Sequence, residues 1–253
     1  VDNEPDEGGE RGVLVATAGA PVALWVDAAS FALIAVVLGT GRELPAGAPE
    51  DGETRWAARV RAGLAAVRDE PIRTLVAAQA VAFVFFFLVI PIEVVFAKET
   101  LDAGDVGYGA LLTAWGVGMV VGSWLFARLR DRSTRALVVG STALVGLGYL
   151  GMAGAPGIAL ACVASVVGGA GNGVQWVSVL TAVQEALPDA MQARVVGLLE
   201  STAAAAPGVG FLLGGVLTAV WSPRLAYLVA GLGVVAVALT MLQRIAAQEP
   251  ARA

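Results

Sequence analysis

"FARLRDRSTRA", residues 126–136, sets four arginines and one aspartate between two long apolar runs. Upstream lies "GALLTAWGVGMVVGSWL" (109–125) and downstream "LVVGSTALVGLGYLGMAGA" (137–155). Each run is close to the ~20 apolar residues that an α-helix needs to cross about 30 Å of hydrocarbon. A short basic connection between two such runs is a helical hairpin through a membrane. Its arginines hold that turn on the cytoplasmic side.

Composition extends this reading to the whole chain. Of 253 residues, 57% are hydrophobic and only 15% charged, against about 25% charged in a soluble domain. Mean hydropathy is +0.77. So much apolar surface exceeds what a soluble fold can hide behind polar groups, which predicts an all-α, polytopic membrane helix bundle. Histidine is absent, removing the commonest metal ligand and the usual near-neutral proton carrier. The single cysteine, Cys162, lies in an apolar run, so disulfide frameworks and thiolate zinc sites are excluded. No metal and no cofactor is expected.

Apolar runs predict seven spans, at about 22–39, 75–97, 108–127, 137–155, 157–183, 195–220 and 225–242. "GAP" (19–21), "AGAPG" (153–157) and "WSP" (221–223) punctuate them. Arginines crowd alternate loops: Arg42 to Arg73 after the first span, Arg128 to Arg135 after the third, Arg194 after the fifth, Arg244 and Arg252 after the last. The intervening loops carry only Lys98 and Arg224. In the long first loop, Trp56, Val60, Leu64 and Val67 recur at helical spacing, flanked by Arg59, Arg61 and Arg68. That stripe suits a helix in the membrane interface or one packed beneath the bundle. Pro71 ends it.

"GLGYLG" (146–151) has the G-x-G-x-x-G form. A dinucleotide site needs a strand before these glycines and a helix opening after them, and here they lie inside a span. Glycines in spans let helices approach closely. Gly118–Gly122, Gly169–Gly173 and Gly210–Gly214 share that spacing, so close packing within the chain is expected, with dimerisation the second use.

Polar groups in spans are costly in lipid and should face protein or a water-filled cavity. Gln79 and Glu93 fall in the second span, Asp27 in the outer part of the first, Glu200 in the inner part of the sixth. Asn172 and Gln175 share a helical face with Ser165 and Gly168. These six residues (Gln79, Glu93, Asn172, Gln175, Asp27 and Glu200) are the candidate pathway. For each the other reading is structural, a hydrogen bond to a neighbouring helix or an anchor near a span end. One shared, partly polar groove is the arrangement that a pathway requires. Pro91 and Pro207 lie within spans, where proline removes a backbone donor and bends a helix.

"GAPVALWVDAASFALIAVVL" (19–38) resembles the sixth transmembrane helix of bacterial exporters of the major facilitator superfamily, in the branch that includes siderophore and macrolide exporters. "LPDAMQARVVGLLESTAAAAPGVGFLLGG" (187–215) resembles their tenth-to-eleventh loop and eleventh helix. The likeness covers about residues 12–245. The 126–136 stretch resembles the second copy of the family's cytoplasmic motif G-x-x-x-D-R-x-G-R, with Asp131, Arg132 and Arg135 matching and Ala127 and Thr134 replacing the glycines. The resemblance implies a latch role for Asp131, Arg132 and Arg135 through charge pairs. It also implies an organisation: an acidic tail and fifth-helix stub at 1–21, a sixth helix at 22–40, a cytoplasmic loop with its amphipathic helix at 41–71, a six-helix C-terminal transporter half at 72–244, and a tail at 245–253. On this reading the family's first four helices are not part of the chain.

The function so implied is secondary-active export of a small amphipathic compound by alternating access, from the bacterial cytoplasmic membrane. With no G-x-x-x-x-G-K-[ST] loop, ion coupling is the implied drive. The other reading is a non-transporting membrane module that packs against another transporter half. The expected partners are the lipid bilayer, a small-molecule substrate and an N-terminal half or second chain, with no nucleic acid. An enzyme is not expected, because there is no His, no H-E-x-x-H and no paired-aspartate signature.

Overall fold

In the computed structural model, residues 25, 28, 29, 31–37, 39, 40 and 70–248 are described. The chain divides into two units, Val1–Thr54 and Arg55–Ala253. In the first, residues 31–37, 39 and 40 are helical, and Phe31, Leu33, Ile34, Val36 and Val37 are exposed. Apolar residues on every side of a helix suit a lipid surround. Thr40 donates its hydroxyl back to the Val36 carbonyl at 2.8 Å. The expected stripe of Trp56, Val60, Leu64 and Val67 lies outside the described residues, as does Asp27.

Among the described residues, the second unit contains six long helices. They are α1 (Glu70–Val95), α2 (Gly104–Leu129), α3 (Thr134–Gly154), α4 (Ile158–Ala186), α5 (Asp189–Val220) and α6 (Pro223–Gln248), with a π-helical turn, Phe96–Thr100, extending α1. All six are long and apolar enough to cross a membrane. The shortest, α3, has 21 residues and rises about 32 Å, enough for the hydrocarbon core. Among the described residues there is no strand.

The six expected spans of this unit are present, but their helices run further than hydropathy marked. Arg73, Arg128, Arg135, Arg194 and Arg244 all lie inside helices. The arginine-rich connection shrinks to 130–133, and the α4–α5 connection to 187–188. Arginine is a good helix former, and its long side chain reaches polar surroundings while its backbone stays in the ladder. At the opposite end, Asp102 adopts a left-handed backbone (φ 51°), which aspartate tolerates better than most residues. Lys98 and Asp105 form an ion pair across that turn.

Helix α2 packs on α4, α4 on α3, α3 on α6, α6 on α1, and α1 on α5. Helices α1 and α4 make only slight direct contact. The α2–α4 seam interlocks two glycine pairs. A Cβ on Gly118 or Gly122 would collide with the α4 backbone at Val166 or Ala170, and one on Gly169 or Gly173 with the α2 backbone at Trp115 or Met119. Gly210 and Gly214 of α5 abut Phe87 and Leu88 of α1 in the same way. The "GLGYLG" glycines serve packing too: Gly146 meets α6 at Val235, and Gly148 lies against Gly168 of α4. Helices α1 and α5 continue through Pro91 and Pro207.

Two apolar clusters fill the bundle. One, at the arginine-bearing end, gathers Ile72, Val76, Val138, Val183, Val195 and Met241. The other, towards the opposite end, gathers Leu88, Ile92, Phe96, Leu111, Tyr149 and Tyr227. Between them lies a polar layer containing Gln79, Thr142 and Gln175, all buried.

Candidate functional site

Because α1 and α4 hardly touch, a cavity of about 160 Å³ lies between them, closed behind by Val145 of α3 and Val234 of α6. Gln79 reaches its wall from α1, and Asn172 and Gln175 from α4. Phe83, Phe86 and Trp176 supply aromatic walls. Three of the six expected pathway residues therefore meet at one place.

Their hydrogen bonds separate their roles. The Gln175 amide donates to the Thr142 hydroxyl at 2.8 Å, and Thr142 donates to the Val138 carbonyl at 2.7 Å. Gln175 is thus partly engaged in tying α4 to α3. Gln79 is 6% exposed, and neither its amide nor that of Asn172 has a hydrogen-bond partner among the described residues. Buried Gln79 and half-buried Asn172 thus present amides to the cavity that are free to bond a polar guest. Ser165, on the same face of α4, is not part of that wall: it is fully buried and donates to the Leu111 carbonyl of α2 at 3.0 Å.

Glu93 does not line the cavity. It follows Gln79 and Phe86 at seven-residue steps along α1, which keeps all three on one stripe. Phe86 leads from the cavity to Trp115, with ring centroids 6.1 Å apart. Trp115 stacks on Tyr149 at 5.6 Å, and Tyr149 lies 6.1 Å from Tyr227. The hydroxyls of Tyr149 and Tyr227 are buried and have no hydrogen-bond partner among the described residues. Tyr227 packs in turn on Phe96 at 4.8 Å. Arg224 closes this end by donating to the Ala153 and Ala155 carbonyls at the end of α3, at 2.9 and 2.6 Å.

Two expected sites lie apart from the cavity. Glu200 is exposed on α5 and takes no part in the cavity. Asp131 is exposed at the tip of the 130–133 turn and has neither an ion pair nor a hydrogen bond among the described residues. Arg132 and Arg135 are likewise exposed and unpaired among those residues. Ser133 precedes α3 without a side-chain cap. The tie at this end runs instead from the Thr134 hydroxyl to the Glu185 carboxylate at 3.0 Å. The arginine nearest the turn that does find a partner is Arg128, which lies over the Trp124 ring at 4.3 Å.

Sequence reasoning missed Thr142, the aromatic walls, and Tyr149 and Tyr227. Thr142 sits in "GSTALVG" (140–146), where a polar pair within a span was the available signal.

Six helices long and apolar enough to cross a membrane, around a cavity that carries three amides, make a multi-pass membrane protein. The sequence profile of the Major Facilitator Superfamily matches residues 75–252. The chain belongs to that family, whose members are transporters rather than enzymes. No curated protein and no solved structure matches the chain.

Proposed function

We propose that residues 72–244 form the C-terminal half of a secondary exporter, which moves small amphipathic compounds out across a bacterial cytoplasmic membrane by ion-coupled alternating access. The observation that carries this reading is the pair of amides, Gln79 and Asn172, without a partner among the described residues, facing an aromatic-walled cavity between α1 and α4. Amides with aromatic walls suit a guest that is apolar over most of its surface and polar at a few points. A drug-sized ligand needs roughly 300–1,000 Å³, so this cavity holds part of such a guest, and a facing half would supply the rest of the wall. The apolar clusters on either side act as alternating seals, and opening one exposes the cavity to one face of the membrane. Glu93, on the same stripe of α1, is the carboxyl assigned to the coupling ion. The outward direction rests on the resemblance to exporters.

The second reading, a module that packs against another transporter half, draws on α2 and α5. They are the least buried of the six helices, and Val120 and Leu212 are each 72% exposed. One experiment separates the two readings. The full chain is reconstituted into proteoliposomes, and flux of a panel of amphipathic dyes is followed under an imposed proton or sodium gradient. The transport reading predicts gradient-driven flux, a fall of at least tenfold in Asn172→Leu, and loss of gradient dependence with retained exchange in Glu93→Gln. No flux from the full chain favours the module, and flux indifferent to both substitutions overturns the site.

A further inference from the structure

A second and larger cavity, about 740 Å³, opens between α1 and α6 on the outside of the bundle. On α1 its wall runs from Arg73 through Ala77 and Val81 to Phe85, and on α6 from Arg244 through Thr240 to Gly233. These positions recur every three or four residues, so each helix gives the groove one continuous stripe. The groove changes character along its length. Arg73 and Arg244 stand at its mouth, both exposed, and neither has an acidic partner among the described residues. Beyond them the wall is mostly apolar, and it ends where the Phe85 ring fills the space beside Gly233.

The length of the groove is informative. From Arg73 to Phe85 the helix climbs twelve residues, about 18 Å, and one leaflet of the hydrocarbon core is about 15 Å deep. The groove therefore runs from the membrane interface to about mid-bilayer, the reach of a single acyl chain. Its mouth lies at the arginine-bearing end, which the positive-inside rule assigns to the cytoplasmic leaflet.

We infer that this groove binds one anionic phospholipid of the cytoplasmic leaflet, with its phosphate held between Arg73 and Arg244 and an acyl chain laid along Val81 up to Phe85. Two guanidiniums with no acidic partner among the described residues suit, at the headgroup level, a phosphodiester, which accepts paired N–H bonds from each. A basic pocket between membrane helices at this depth favours an anionic headgroup over a zwitterionic one. Charge also argues against the chain's own 55–68 segment as the occupant, because it brings Arg55, Arg59, Arg61 and Arg68 towards two further arginines. The inference does not rest on the transport reading.

Native mass spectrometry of the full chain in mild detergent tests it, with phosphatidylglycerol and phosphatidylcholine of identical acyl chains as probes. One phosphatidylglycerol should be retained at least tenfold more strongly than phosphatidylcholine. The double variant Arg73→Gln/Arg244→Gln should abolish that preference, and Val81→Trp should weaken retention of both lipids by filling the groove. All three positions are exposed, and monodisperse elution with unchanged helical circular dichroism confirms folding. Equal retention of the two lipids, or indifference to both variants, overturns the assignment. Full competition by free glycerophosphoglycerol would reduce the site to a soluble-anion site and also overturn it. So would ready disulfide formation between Leu64→Cys and Val81→Cys, which would place the chain's own segment in the groove.

Discussion

Three amides meet at one cavity, yet they differ in what removing them should do. Gln175 is bonded to Thr142, and interhelical hydrogen bonds in membrane proteins contribute on average about 0.6 kcal/mol. Gln175→Leu should therefore lower stability by about that much. Asn172 has no partner among the described residues, and exchanging an unpaired polar group for an apolar one of similar shape is close to neutral or stabilising. Asn172→Leu should leave stability unchanged or raise it slightly while reducing transport. Thermal unfolding of the two variants in the same detergent, set beside their flux, checks this. A loss of stability in Asn172→Leu equal to that in Gln175→Leu would return Asn172 to a structural role. The polarity of these residues within apolar spans was visible in the sequence. Which amide is satisfied was not, because that depends on Thr142 lying across from Gln175, 33 residues away in the chain. Ser165 shows the same blindness: it shares a helical face with Asn172, yet its hydroxyl is spent on Leu111 of a different helix.

The helices themselves were legible because lipid imposes length and hydropathy directly on sequence. Their ends were less so, since hydropathy stops at the first arginine whereas the hydrogen-bond ladder does not. Glycine spacing announced close packing, but spacing cannot say which helix is approached. The α2–α4 seam makes the point testable with two glycines on one helix. On Gly122 a Cβ would lie 2.9 Å from the carbonyl carbon of Ala170, whereas one on Gly116 would meet nothing within 4 Å. Gly122→Leu should cost at least the 1–3 kcal/mol typical of overpacking (roughly; backbone cannot yield as a side chain can). Gly116→Leu should be nearly neutral. Unfolding midpoints in a fixed detergent check this, and equal midpoints would mean that the α2–α4 approach is not as close as described.

Among the described residues, three amides are gathered between two apolar clusters, and close glycine seams elsewhere leave a cavity at that layer. The resemblance to exporters anticipated the family and the all-α bundle. At the 130–133 turn Asp131 is exposed and has no partner among the described residues, so the latch implied by the resemblance is not seen there. The central claim is that the Gln79–Asn172 cavity is reached by water and by substrate. It is tested most directly by cysteine accessibility. Cys162 is replaced by alanine, and single cysteines are placed at Asn172 and, as the buried control, at Ser165. A small water-soluble thiol reagent should label position 172 at least tenfold faster than position 165, and a transported dye should slow that labelling. Labelling of position 172 no faster than position 165, with or without dye, would contradict the account.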